Sequence, residues 1–366
     1  LFKTGDCPIG ITTREINNIL VMKPYGGLGD LLLSTPVMHS LKEEFPRARL
    51  TVMAREAFVD VVEGNPKVDR VIPVPADFTR GFKNFSRQLS LVREGSYDLA
   101  LVLWTSAREA YLLTLAGIPL RVGQAGRLMY SFLFTHRVER RSDRGDEESH
   151  QVETLLDYVR VLGIEPKNRE LDFFIPPQAQ AHADSMLEEM GIGRDDFLIG
   201  FNCTKGLPVT PGQWPVEKFS SFARSLAGHF GAKMIFTGTN GEKAIVDAVM
   251  SGLSGPFYSM AGKTTIKEAA ALIRRCRLFV SPDSGPMHIA AALKVPVVGI
   301  YGLKGDYPRR WAPYNCPHRI VRLQEIPCQD RCIKETCQRF RCYEAIPDGM
   351  VVQAADSLIQ EAGTKN

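Results

Sequence analysis

Ile19-Leu20-Val21-Met22-Lys23-Pro24-Tyr25-Gly26-Gly27-Leu28-Gly29-Asp30 runs from an apolar stretch into a glycine loop. Beyond it Leu31, Leu32, Val37, Met38 and Leu41 recur at helical spacing to about Phe45, and Pro46 closes the run. A short apolar run followed by a 3.6-residue period is a buried strand handing over to a helix. The same change of period repeats downstream. Leu50–Met53, Val71–Val74 and Asp98–Leu103 read as strands, and Ala57–Val62, Phe82–Arg93 and Ala107–Ala116 as helices. Strands alternating with helices imply βαβ units around a parallel sheet.

Working outward, Arg137–His150 is dense in charge and reads as an exposed loop, and Gln151–Leu162 and Ala179–Met190 as helices. The rhythm then restarts. Phe197–Asn202, Lys233–Thr237, Leu278–Ser281 and Val297–Tyr301 are strand-like. Val216–Phe230, Glu242–Met250, Ile266–Arg275 and Gly285–Leu293 are helical, and Met350–Ala362 is a last helix with Asp348 as its expected N-cap. The expected division is a tail over 1–18, a first α/β domain over 19–175, a second over 176–346 with a cysteine-rich segment at 316–342, and a terminal helix over 347–366. Two such halves normally bind ligand at the carboxyl ends of their strands.

The 366 residues are 44% hydrophobic and 23% charged, which suits a globular chain and excludes wholesale disorder. A net charge of +4 gives no support to nucleic acid as a partner. No apolar run is long enough to span a bilayer, and the opening residues lack the apolar core of a signal peptide. The expected location is therefore the cytoplasm.

Gly26, Gly27 and Gly29 let the chain turn tightly and admit a ligand close to the backbone. A dinucleotide fingerprint fits poorly, because the position six on from Gly27 is Leu32 and Asp30 would set a carboxylate against a pyrophosphate. From this stretch alone, Asp30 reads first as a helix cap. The sharper reading makes it a general base for a hydroxyl nucleophile. In the second half, Ser281-Pro282-Asp283-Ser284-Gly285-Pro286-Met287-His288 again passes from strand to helix. Asp283 or Ser284 is the N-cap, and the free N–H groups with His288 favour a bound anion. Asn202-Cys203-Thr204-Lys205-Gly206 and Gly238-Thr239-Asn240-Gly241-Glu242 end the neighbouring strands. Three polar loops on one strand edge favour a nucleoside diphosphate.

Lys23 through Asp30 and Ser281 through Ala292 together resemble glycosyltransferase family 9, the lipopolysaccharide heptosyltransferases. Leu115-Ala116-Gly117-Ile118, Arg121-Val122-Gly123, His150 and Trp214-Pro215 support the resemblance. It implies an α/β fold of the GT-B type: two Rossmann-like domains facing each other across a cleft, with the C-terminal helix packing back on the first. It implies inverting, metal-independent transfer of a heptose from an ADP-sugar to a lipopolysaccharide inner-core acceptor. Asp30 matches the proposed general base, and Asp283, Ser284, Gly285 and His288 the donor loop. Thr204 and Glu242 match positions on phosphate and ribose, and Thr264 lies near the expected adenine pocket. The family usually carries a lysine shortly before the Trp-Pro pair, where this chain has Gly212 and Gln213. Lys205 is the substitute the sequence offers. The absence of any Asp-x-Asp pair agrees with a reaction that needs no metal cofactor.

An acidic, lipid-linked oligosaccharide acceptor needs cations, and Arg80, Lys83, Arg87, Arg121 and Arg127 are the candidates, against the plainer reading of solvated surface charge. Such an acceptor also implies peripheral contact with the inner membrane face. Cys328, Cys332, Cys337 and Cys342 supply enough thiolates for a structural Zn or Fe site, but no C-x2-C pair is present. Reduced or partly paired structural thiols are the other reading. Two further functions stay open: a protein O-heptosyltransferase and a catalytically silent sugar-nucleotide-binding protein.

Overall fold

The computed structural model describes residues 15–77, 81–328, 332, 337 and 340–363. Arg80 lies outside them. The chain forms two compact units, Leu1–Asp172 and Phe173–Asn366.

The first unit is built on strands β1 (Asn18–Lys23), β2 (Arg49–Arg55), β3 (Arg70–Val74), β4 (Leu99–Val102), β5 (Leu120–Gln124) and β6 (His136–Val138). They pair in parallel in the order β3-β2-β1-β4-β5-β6. The second unit carries β7 (Leu198–Asn202), β8 (Lys233–Thr237), β9 (Phe257–Ser259), β10 (Leu278–Pro282), β11 (Val297–Ile300) and β12 (His318–Val321). Its order, β12-β11-β10-β7-β8-β9, is the same topology over again. In both sheets the chain reverses direction of winding after its third strand, so a switch point lies between β1 and β4 and another between β7 and β10. The carboxyl ends at such a point are where open α/β sheets bind ligands. Residues 19–22 and 99–102 are fully buried, as strands covered on both faces must be.

Three differences from the sequence reading have local causes. The helix expected from Leu31 to Phe45 is two helices, Leu28–Leu32 and Thr35–Glu44. Pro36 opens the second, and the Ser34 hydroxyl donates to the Leu31 carbonyl at the break. The charged loop at 137–150 contains the edge strand β6 and a 3-10 turn at Arg141–Arg144, and Arg141 there pairs with Asp157 at 2.7 Å. The terminal helix, Asp348–Gly363, belongs to the second unit. It packs on helix Val216–Phe230 and on β12, and Val351, Ala355 and Leu358 join the second unit's core. Asp348 is its first residue, and its carboxylate accepts from Lys218 at 2.5 Å and from the Ser221 hydroxyl.

Candidate active site

The first switch point presents Asp30. Gly26 has φ +91°, which side chains rarely adopt, and a Cβ there would meet the Asp30 side chain at 2.8 Å. Glycine is thus required twice over at that position. The turn lets the Gly27 N–H donate to Asp30 Oδ2 at 2.9 Å, which closes the first turn of helix Leu28–Leu32. Gly27 is thus the N-cap, and Asp30, three positions on, accepts from its N–H with one carboxylate oxygen. The other, Oδ1, lies 3.8 Å from Lys23 Nζ at the end of β1.

Lys23 is almost wholly buried, and its ammonium finds no hydrogen-bond acceptor among the described residues. It lies 5.3 Å from the centre of the Trp104 ring, which comes from the loop after β4. Burial pulls the Lys23 pKa below its ordinary 10.5, and the Asp30 charge opposes that shift. Lys23 has no role among the expectations drawn from the sequence. A lysine closing an otherwise apolar strand was the signal.

The second switch point is a closed network. Asn202, the last residue of β7, donates from Nδ2 to the Thr204 carbonyl and to Ser284 Oγ, both at 2.9 Å. Ser284 Oγ is also 2.8 Å from Ser281 Oγ. The Thr204 hydroxyl donates to Glu242 Oε1 at 2.5 Å, and Glu242 Oε2 accepts from Thr239 N and Oγ1. Lys205 Nζ is within hydrogen-bond reach of Asp283 Oδ2 at 3.1 Å, the Asp283 carbonyl at 3.3 Å and Asp306 Oδ1 at 3.0 Å. Its ammonium protons are thus matched by protein oxygens, and it acts as a strut. Ser284, rather than Asp283, is the N-cap of helix Gly285–Ala292. His288 is buried under the loop, with Nε2 3.9 Å from Asp283 Oδ1. Burial pushes the Asp306 carboxyl up, Lys205 opposes the shift, and Asp283 adds to it. Asp306 carries no signal in the sequence.

Thr264 is half-buried on the turn before helix Ile266–Arg275. That turn lies beside the Glu242 loop, since a Cβ at Gly262 would meet Asn240 Cα at 3.1 Å. Of the proposed acceptor cations, Lys83, Arg87 and Arg127 are exposed. Arg121 is not free in the same way. Its guanidinium donates to the Leu133 and Ile118 carbonyls and braces the chain around β5.

The seven described cysteines form no disulfide. No group of three or more His, Cys, Asp or Glu among the described residues is placed to hold a metal ion. Cys342 is buried in the second core, with Cys332 and Cys337 packed against that core. Burial raises the Cys342 thiol pKa, and Cys328 and Cys337 add to the shift.

Residues 85–341 match the profile described as glycosyltransferase family 9 (heptosyltransferase). The chain is 29% identical to lipopolysaccharide heptosyltransferase 2 of Salmonella typhimurium over 83% of its own length and 88% of the relative's. It is 25% identical to lipopolysaccharide heptosyltransferase 3 of Escherichia coli, over 92% and 98% of the two chains. Among solved structures, the E. coli ADP-heptose lipopolysaccharide heptosyltransferase II superposes with a TM-score of 0.73 at 22% identity, covering 94% of this chain and 99% of that one. Two Rossmann-type units in one such chain make the GT-B type fold.

Proposed function

The chain belongs to glycosyltransferase family 9 and is a glycosyltransferase; from that premise we propose that it moves a heptose, with inversion, from ADP-heptose to a lipid-linked lipopolysaccharide-core acceptor without a metal cofactor. The observation that carries the chemistry is Asp30, a carboxylate with one oxygen held by the Gly27 N–H and the other 3.8 Å from Lys23 Nζ. A held carboxylate is an aimed proton acceptor. In the proposed step the acceptor hydroxyl gives its proton to Asp30 as its oxygen bonds to the anomeric carbon. The bond from that carbon to the ADP phosphate oxygen breaks on the opposite face, ADP leaves with the electron pair, and attack opposite the leaving group inverts the centre.

The second unit would hold the donor. The N–H groups opening helix Gly285–Ala292 suit a diphosphate, whose charge grows as it leaves. Asp283, Ser284, Gly285 and His288 form that loop. Glu242, already held by Thr204 and Thr239, suits the ribose hydroxyls, and Thr264 the neighbourhood of the base. Lys205 would act on the donor through Asp283 rather than by touching phosphate. Lys83, Arg87 and Arg127 suit the acceptor's phosphates and carboxylates.

The test mixes the purified, chelator-treated protein with ADP-heptose and either a heptose-deficient lipopolysaccharide core or a protein acceptor. Transfer to the core with release of ADP is expected. Transfer to protein alone, or ADP binding without any transfer, would replace this reading by one of the two alternatives.

A further inference from the structure

Glu109 lies in the first turn of helix Ala107–Leu115 and closes a capping box with Ser106, the N-cap. Its Oε2 accepts from the Ser106 N–H at 3.1 Å and from the Ser106 hydroxyl. A capping box asks no more of its glutamate than that. Glu109 is nevertheless wholly buried, which glutamates rarely are unless their oxygens are answered. Its other oxygen, Oε1, accepts from the Tyr25 hydroxyl at 2.9 Å, a bond between segments 84 positions apart. That second bond is the part of the arrangement that a helix cap does not explain.

Tyr25 is the last side chain before the Gly26-Gly27 turn. Glycine has the widest backbone freedom of any residue, and two in succession define a turn poorly by themselves. Yet the Gly27 N–H is the group that holds Asp30 Oδ2. The turn is therefore only as well placed as its ends. On one side the chain enters helix Leu28–Leu32. On the other, the Tyr25 ring packs against the first unit's core, and its hydroxyl reaches Glu109 and lies 3.4 Å from Ser106 Oγ. Burial pushes the Tyr25 phenol up to about 12, the Ser106 bond opposes the shift, and the Glu109 charge adds to it. The phenol thus keeps its proton and is the donor to Glu109. Arg55, at the end of β2, donates to the Gly26 carbonyl at 3.3 Å from an exposed position.

The anchor is itself fixed. β4 runs beside β1 with Val102 opposite Met22, which brings the segment after β4 to the glycine turn. Thr105 in that segment is buried. Its hydroxyl accepts from the Gln124 N–H at 3.1 Å, and its carbonyl accepts from the Tyr130 hydroxyl at 3.2 Å. Position is thus passed from the end of β5 through Thr105 and Ser106 to Glu109. From Glu109 it passes through Tyr25 and the glycine turn to Asp30.

We propose that Glu109 is a positioning residue for transfer: by holding the Tyr25 hydroxyl it sets the Gly26-Gly27 turn, and with it the aim of Asp30. This rests on the reading of Asp30 as the base. It deepens that reading by naming what keeps a carboxylate on a double-glycine turn pointed at one place.

The test measures steady-state transfer by Tyr25→Phe and Glu109→Ala, each alone and each combined with Asp30→Asn. Tyr25→Phe removes one hydroxyl and keeps the ring. In either variant kcat should fall by about ten- to a hundredfold, the cost of misplacing a reacting group by about 1 Å. KM for both substrates and ADP affinity should stay close to the parent's. In the Asp30→Asn background neither substitution should cost anything more, because the group they aim is gone. Should Glu109→Ala fail to fold for want of its cap, Tyr25→Phe, which leaves the cap intact, carries the test alone. Parent-like kcat in Tyr25→Phe would overturn the proposal, whatever happens to its melting temperature. So would an equal further loss in the Asp30→Asn background, which would mean that the bond acts on the fold rather than on the base. Asp30→Asn measured by itself separates this from the reading beneath it. Near-normal transfer there would end both, whereas a large loss there beside a parent-like Tyr25→Phe would end the positioning role alone.

Discussion

Lys23 and Lys205 occupy comparable places in the two units. One ends β1 and the other lies just beyond β7, each at a switch point and each almost wholly buried. Their surroundings are opposite. Lys205 is answered by Asp283 and Asp306 at hydrogen-bond distance. Lys23 has only Asp30, at 3.8 Å, and no hydrogen bond among the described residues. The same topology therefore holds a finished network on one sheet and an incomplete one on the other. A saturated charge stabilises its loop, whereas an unsatisfied one is a cost that persists where function needs it.

The sharpest way to break this comparison is to remove Lys205. Lys205→Met should leave Asp306 buried and unpaired and destabilise the second unit by about 3–5 kcal/mol. Chemical denaturation followed by a probe in that unit would measure it. A loss below about 1 kcal/mol would mean that the network is no strut.

A smaller effect is expected from His288→Ala. If the imidazole helps the helix start to hold a diphosphate, ADP binding should weaken by about 1–3 kcal/mol in calorimetry. Unchanged ADP affinity would take His288 out of the donor site.

The smallest effect has the opposite sign. Lys23→Met should raise stability at neutral pH by about 1–2 kcal/mol, because a poorly answered buried charge is removed and Asp30 keeps access to water. Transfer should fall at the same time. The pH dependence follows from the lowered Lys23 pKa. Between the folded value and the unfolded 10.5, the unfolded chain binds more protons, so the parent gains stability as pH rises through that window. The advantage of the Met variant should shrink there. An advantage that does not change with pH would place its cause elsewhere than in the buried charge.

The sequence made much of this readable, because the signals were local. Strand-to-helix changes of period located both glycine-bearing loops, and Gly26 with Asp30 are neighbours along the chain. Ser281 through His288 was legible for the same reason. Asp306 was not, because its pairing with Lys205 joins distant segments and neither neighbourhood has a periodic pattern. The edge strands β6 and β9, three residues each, are too short for an alternation to show. The resemblance says nothing of the packing inside the second unit, where Val351, Ala355 and Leu358 of the terminal helix meet helix Val216–Phe230 and β12, because those segments are far apart along the chain.

The central claim is that Asp30 is a base and not only a cap. Asp30→Asn keeps the shape and the oxygen that accepts from the Gly27 N–H but cannot take a proton. Transfer from ADP-heptose should fall by about 10²–10⁴-fold, while ADP affinity and melting temperature stay close to the parent's. A pure cap would give near-normal turnover with at most about 1 kcal/mol lost in stability. Turnover by the Asn variant within a few-fold of the parent would contradict the account.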